Sequence, residues 1–267
     1  MGKVYAVANQ KGGVGKTTCV INLAAYLAQS GREVLVVDMD PQSNATSGLG
    51  VDKYGVQHST YDLLLGAESF SQIVRHLPEA GLMILPANPA LSGAEVELVN
   101  EIAREYRLKA ALEAVYELYD YILIDCPPSL SMLTVNALAA ARDGVLIPVQ
   151  CEYLALEGLS QLVQTIEMVK RYLNPDMQIR GLVLTMYDSR TNLSRQVVDE
   201  VRRYFPGRVF RTIIPRNIRL SEAPSYGQPI NLYAPSSSGA VAYRVLASEL
   251  LKGDGFPSLK PQQAKPQ

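Results

Sequence analysis

Residues 4–18 constrain this chain more than any other stretch: Val-Tyr-Ala-Val-Ala-Asn-Gln-Lys-Gly-Gly-Val-Gly-Lys-Thr-Thr. The apolar, partly β-branched run from Val4 to Ala8 reads as a strand, and Cys19 to Gln29 reads as a helix. Between them lies a glycine-rich turn that ends in Lys16, Thr17 and Thr18. Such a turn lets the backbone N–H groups of Gly12, Gly13, Val14 and Gly15 converge on an anion, and the helix N-terminus adds its positive dipole end. Lys16 is then placed to reach the β- and γ-phosphates of a nucleotide, and the Thr17 hydroxyl to bind Mg²⁺.

The turn departs from the pattern G-x-x-x-x-G-K-[ST] at one place. Five residues before Gly15 stands Gln10, and a second lysine, Lys11, opens the loop. On these residues the stretch resembles the deviant Walker A motif of the ParA/MinD group of P-loop ATPases. That resemblance implies ATP as the nucleotide. It also implies that Lys11 crosses a dimer interface to touch the partner subunit's nucleotide.

Downstream, Arg32 to Asp40 is a continuous apolar run closing on two carboxylates, Asp38 and Asp40. A run of this kind fits a central parallel strand buried on both faces, and ligands bind at the carboxyl ends of such strands. Pro41 stops the strand, and Gln42 to Thr46 reads as a polar loop. In the resembling group this is the first switch, whose second aspartate, here Asp40, orients the attacking water. Tyr119 to Asp125 repeats the logic: apolar residues close on Asp125, the carboxylate expected to hold a water bound to Mg²⁺.

Tyr61 to Leu65 and Ile73 to Leu77 read as short helices, and Met83 to Pro86 as a strand. Ala94 to Leu118 has apolar residues near helical spacing and reads as one or two amphipathic helices. Leu130 to Arg142 and Leu156 to Leu173 are helix candidates, while Gly144 to Gln150 and Gln178 to Met186 are strand candidates. Pro148 warns of irregular pairing in its strand. Strands alternating with helices of this length imply crossovers. The expected fold is α/β, a mainly parallel twisted sheet with helices on both faces. One domain is expected over 1–252, with a disordered tail over 253–267, where Pro, Gly and Gln accumulate.

The chain carries a net charge of −1, which taken alone argues against nucleic acid. Its distribution argues the other way. Between Lys170 and Arg219 stand eleven basic and four acidic residues, and the remaining chain is net acidic. This asymmetry predicts a basic face on an acidic body. Met186 to Asn192, Ile214 to Pro229 and the stretch from Pro148 through Leu159 extend the resemblance over nearly the whole chain, to ParA (Soj-type) chromosome partition ATPases in particular. The resemblance implies an ATP-sandwiched homodimer that binds non-specific double-stranded DNA and responds to a ParB-like activator. On the matching positions Arg190 and Arg219 are expected to contact DNA, with Arg195, Arg202, Arg203 and Arg216 extending the patch. Pro215 and Asn217 fall where the group contacts adenine. No recognition helix or zinc finger is evident, so binding is expected at phosphates and with a steep salt dependence.

Other classes have less support. The three cysteines, Cys19, Cys126 and Cys151, form no C-x-x-C pair, which fits a reducing cytosol and not a disulfide framework or thiolate metal site. That weighs against a reductase of the nitrogenase iron-protein kind; a small-molecule ligase using the same loop ranks with it. His58 and His76 are isolated. A MinD-like ATPase acting at a membrane is the main alternative, and it requires a C-terminal amphipathic helix. Residues 253–267 offer Phe256 and Leu259 interrupted by Pro257, Pro261 and Pro266. No stable membrane association is therefore expected. With no apolar run of about 20 residues and no signal peptide, the expected location is the cytoplasm, on the nucleoid when ATP is bound.

Overall fold

The computed structural model describes residues 2–153 and 155–259. Its elements alternate: β1 (Lys3–Val7), α1 (Lys16–Gln29), β2 (Val34–Asp38), α2 (Asn44–Gly48), α3 (Thr60–Leu65), α4 (Phe70–Ile73), β3 (Arg75–Leu77), β4 (Leu82–Leu85), α5 (Leu91–Glu97) and α6 (Arg107–Glu113). There follow β5 (Tyr121–Asp125), α7 (Met132–Ala140), β6 (Gly144–Gln150), α8 (Ala155–Tyr172), β7 (Ile179–Tyr187), α9 (Asn192–Tyr204), β8 (Val209–Pro215), α10 (Ile218–Glu222), α11 (Ile230–Tyr233) and α12 (Ser238–Gly253). They form an eight-stranded sheet in the order β3-β4-β2-β5-β1-β6-β7-β8. Every neighbouring pair is parallel except β3 with β4.

Side chains on a strand alternate between faces, so each central strand feeds two cores. In β1, Val4 and Ala6 pack with α3, α5, α6, α7 and α8 on one face. Tyr5 and Val7 pack with α1 and α12 on the other. The expected α/β sheet covered on both faces is thus the observed fold.

Register places the chemistry. Val7 lies opposite Asp125, and Asp125 opposite Asp38, so the loop after β1 and two carboxylates emerge at one level of the sheet's carboxyl edge. Pro148 causes little disruption. Ala8 N–H donates to the Leu146 carbonyl, and Asn9 Nδ2 meets the Pro148 carbonyl at 2.7 Å. At Pro148 β1 has already left the ladder for its loop, so the missing N–H falls where no strand needs it.

Three stretches differ from expectation. Ile73 to Leu77 is not a helix: α4 ends at Ile73, and Arg75–Leu77 form an edge strand antiparallel to β4. Five residues are too few to fix a period, and Arg75 and His76 are exposed as an edge allows. The polar loop after Pro41 winds into α2 at Asn44, because the buried Asp38 carboxylate accepts from both the Thr46 N–H (2.8 Å) and hydroxyl (2.7 Å). Ala94 to Leu118 is broken by Ala103, whose φ of 54° is left-handed, into α5, α6 and short 3₁₀ turns.

Of the expected tail, residues 260–267 lie outside the described residues. Residues 253–259 stay on the body. The Asp254 carboxylate accepts from Tyr5 Oη (2.8 Å), Tyr121 Oη (2.9 Å) and Arg180 Nε (3.0 Å). The Phe256 ring lies 5.6 Å from that of Tyr121, with the Arg32 guanidinium 4.5 Å from its centroid.

Candidate nucleotide site and basic surface

The loop after β1 is held open by its backbone. Gly13 and Gly15 adopt φ of 73° and 89°, a region in which a Cβ is strained. Asn9 braces its entrance, accepting from Lys11 N–H (3.0 Å) while donating to Pro148. Thr185 at the end of β7 donates to the Val14 carbonyl (2.8 Å) and ties the loop to the sheet. Gly15 precedes α1 without any side-chain cap, and no acidic residue occupies the first turn. The helix N–H groups there have no side chain to satisfy them, as suits an anion.

Around this loop the expected residues converge. Lys16 is buried, and its Nζ meets the Lys11 carbonyl at 3.3 Å. Burial lowers its pKa, an effect opposed first by Asp125. Thr17 Oγ1 donates to Asp125 Oδ2 (2.7 Å), while Asp125 Oδ1 is buried with no partner. Asp40 is buried and accepts from the Gln42 N–H (2.9 Å). Lys11 is half-buried at the loop's front. Thr18 and Gly15 open onto a cavity of about 410 Å³, whose far wall includes Pro215 and Asn217, with Met186, Ser221 and Tyr243. The cavity thus joins Gly15 and Thr18 to Pro215 and Asn217, while Lys11, Lys16, Thr17, Asp40 and Asp125 gather on the loop's other side.

Among the described residues no group of three or more His, Cys, Asp or Glu is placed to hold a metal by itself. The residues nonetheless fit Mg²⁺ bound chiefly through phosphates and water: a hydroxyl, Thr17, and an orphaned carboxylate oxygen, Asp125 Oδ1, face the same loop.

The carboxylates are uneasy neighbours. Burial, then Asp38 and Asp40, push Asp125 well above the usual carboxylate range. Burial raises Asp38 to about 6 despite its bonds to Thr46. A carboxyl whose folded pKa is raised favours folding when protonated and loses that contribution as pH rises through the folded value. Asp125→Asn, which removes the charge but leaves an acceptor for Thr17, is therefore expected to raise the Tm of the nucleotide-free protein by a few degrees at pH 7. The gain shrinks as pH falls toward 4 and vanishes below the unfolded carboxyl value of about 3.9, where both states bind the proton. Thermal scans at both pH values check this; a lower Tm at pH 7 would refute it.

All six expected DNA arginines are exposed, but they are not equally grouped. Arg190 lies just after β7 and Arg216 and Arg219 just after β8, with Arg216 N–H donating to the Tyr187 carbonyl (2.9 Å). Arg195 is on the first turn of α9, on Asn192. Arg202 and Arg203 stand in the last turn, about 11 Å further along at 1.5 Å per residue. Three of them are paired. Arg190 forks onto Asp188 (2.9 and 2.6 Å), Arg216 reaches Glu152 (3.0 Å), and Arg219 reaches Glu222 (2.8 Å).

Several contributors had no sequence signal. Asn9 and Thr185 act through backbone contacts, and Tyr243 sits on ordinary helical spacing; only the fold brings Thr185 and Tyr243 to the loop. Met186, at φ 52°, lines the cavity in a conformation that no residue type would have announced.

This arrangement defines a P-loop nucleotide-binding protein of the doubly wound α/β class. The family AAA_31, an AAA domain, matches residues 2–179. The sporulation initiation inhibitor protein Soj of Bacillus subtilis is 57% identical over 94% of this chain and 98% of its own. The chromosome partitioning protein ParA of Myxococcus xanthus is 55% identical over 95% and 89%. The chain belongs to the Soj/ParA family of chromosome-partitioning ATPases. Among solved structures, cobyrinic acid a,c-diamide synthase from Mycobacterium smegmatis with a bound ATP analogue and magnesium is 40% identical with a TM-score of 0.85, covering 97% of this chain and all of that one. The McdA(D38A)–ATP complex of Cyanothece matches in fold, with a TM-score of 0.85 at 22% identity. Among the described residues no helix is long and apolar enough to cross a membrane.

Proposed function

We propose that the protein is an ATP-hydrolysing partition switch: ATP and Mg²⁺ join two copies through their glycine loops, and the pair binds duplex DNA without sequence preference until a ParB-like activator promotes hydrolysis. The observation that carries this reading is a set of neighbours: Lys16 reaches the Lys11 carbonyl and faces Asp125 and Asp40, Thr17 reaches Asp125, and the adjoining Gly15 and Thr18 open onto a cavity walled by Pro215 and Asn217, two residues before Arg219.

In this reading Lys16 and the N–H groups of residues 12–18 hold the phosphates, and Pro215 and Asn217 frame the base. Thr17 would hold Mg²⁺ directly, with Asp40 and Asp125 reaching it through water; the ion would neutralise charge on the β- and γ-oxygens. Asp40, buried beside the loop, orients the attacking water, and Lys11 of the opposite copy adds positive charge at the transferring phosphoryl. A charge supplied in trans is worth about 10³ to 10⁵ in rate where an arginine provides it.

The acid pairs of Arg190, Arg216 and Arg219 do not oppose DNA binding. Their side chains are 84%, 56% and 55% exposed, and water screens such pairs, so a phosphate readily replaces the acid.

The deciding measurement is binding to a random-sequence duplex with ATP, ADP or no nucleotide, over a salt series. Tight binding is expected with ATP alone, with log affinity falling linearly in log salt. Arg190→Ala and Arg219→Ala should each weaken it about tenfold or more and flatten the slope by roughly the phosphates lost. Equal binding in all three nucleotide states would remove the gating.

A further inference from the structure

One short segment faces both the nucleotide and the surface. Residues 215–224 line the 410 Å³ cavity through Pro215, Asn217, Ser221 and Pro224, yet Arg219 in their midst points outward, its side chain 55% exposed. What fixes this segment is not its own helix, which is only five residues long. Arg219 Nη1 donates to Glu222 Oε2 (2.8 Å), and Tyr233 Oη donates to the same oxygen (3.0 Å). Tyr233 stacks on Tyr226, with ring centroids 4.9 Å apart. Three residues before Tyr233, the Ile230 N–H donates to Asn22 Oδ1 at 2.7 Å, and Asn22 Nδ2 donates to the Thr18 carbonyl at 2.8 Å. Asn22 is buried, 4% exposed, on the helix that starts at Lys16.

Nothing about local helix formation asks for Asn22. An interior asparagine is a middling helix former, and a leucine there would suit the surrounding core. Its two bonds, the one to Ile230 fully buried, join the first turn of α1 to the segment carrying Arg219. A second seam runs beside it: Gly50, just past α2 and the Asp40 loop, meets Gly227 so closely that a Cβ on Gly227 would stand 2.6 Å from Gly50 Cα.

Resting on the proposed role of Arg219 at DNA, we infer that Asn22 is a positioning residue that latches the 218–233 segment to the phosphate-binding helix, so that the nucleotide-bound frame sets where Arg219 presents its guanidinium. Tyr233 and Glu222 form the outer end of the same latch. Asn22 touches neither phosphate nor duplex.

The test is a double-mutant cycle on duplex binding with a non-hydrolysable ATP analogue and magnesium. Asn22→Ala is expected to weaken DNA binding about tenfold while nucleotide affinity changes less than threefold. In the Asn22→Ala background, Arg219→Ala should cost little more, whereas Arg190→Ala should retain its full effect, since coupled residues are non-additive and distant ones are not. Tyr233→Phe, at the surface end, should reproduce the pattern at two- to fivefold and keeps the test open if Asn22→Ala fails to fold. A merely structural role lowers Tm and leaves Arg219→Ala additive; that result, or wild-type DNA binding by both variants, overturns the inference. If Arg219→Ala alone leaves binding unchanged, it is the DNA assignment of Arg219 that falls.

Discussion

Lys16→Ala is expected to abolish ATP turnover and ATP-dependent DNA binding together. Lys16 is buried, burial lowers its pKa, and the carboxylates of Asp125 and Asp40 counter that effect. Its Nζ rests on the Lys11 carbonyl inside the loop, so the charge is already desolvated where a phosphate binds. Hydrogen bonds to charged groups contribute about 1.5–3 kcal/mol, and their loss predicts a fall in nucleotide affinity of about 10- to 100-fold. The transition state loses more, because the lysine meets charge that develops there. Removing the cation also leaves Asp125 and Asp40 facing the triphosphate uncompensated. Nucleotide binding by fluorescence, turnover by phosphate release, and duplex binding should fail as one set. Retention of ATP-dependent DNA binding would show that the loop does not gate the basic surface.

The phosphate loop and the two acid-terminated strands were legible in the sequence because each is a local pattern: an apolar run, a turn, and a chemical group at its end. Lys16, Thr17 and Asp125 needed only the phosphate-loop pattern and the rule that parallel strands end on the ligand side, whereas the roles expected of Lys11 and Asp40 rest on the resemblance to the ParA/MinD group. What the sequence concealed is what the sheet order creates. β7 and β8 lie on the far side of β1, and only their parallel pairing brings Met186 and Pro215 to face Gly15 and Thr18. The helix α9, the strand β8 and the carboxyl-terminal helices carry weaker local patterns. In α9 charged residues crowd a short apolar stripe, Val197, Val198 and Val201, so its arginines stand out more than its period. By residue type alone Asp38 and Asp40 are alike at the strand's end, and only the resemblance singles out Asp40. Their partners differ: Asp38 spends both oxygens on Asp40 N–H, Thr46 N–H and Thr46 Oγ1, whereas among the described residues only Oδ1 of Asp40 is bonded.

That asymmetry carries the second large effect. Asp40→Ala is expected to keep ATP binding, dimerisation and DNA binding while lowering turnover about 10²- to 10⁴-fold, the range for losing a group that positions or deprotonates the nucleophile. The Asp40 side chain adds little to the loop's shape: among the described residues its one hydrogen bond accepts from the Gln42 N–H, at the start of a turn that Asp38, Thr46 and the Asp40 backbone already fix. Removing a buried carboxylate also relieves repulsion on Asp125, so fold and nucleotide site should survive. Asp38→Ala should behave oppositely, because it strips three donors of their acceptor and loosens α2, costing Tm and ATP affinity before chemistry. With ATP and no hydrolysis, Asp40→Ala should stay on DNA and resist release by the activator protein. Normal phosphate release by Asp40→Ala would place the water-orienting group elsewhere. Release of that variant from DNA by the activator, without hydrolysis, would separate the switch from the chemistry.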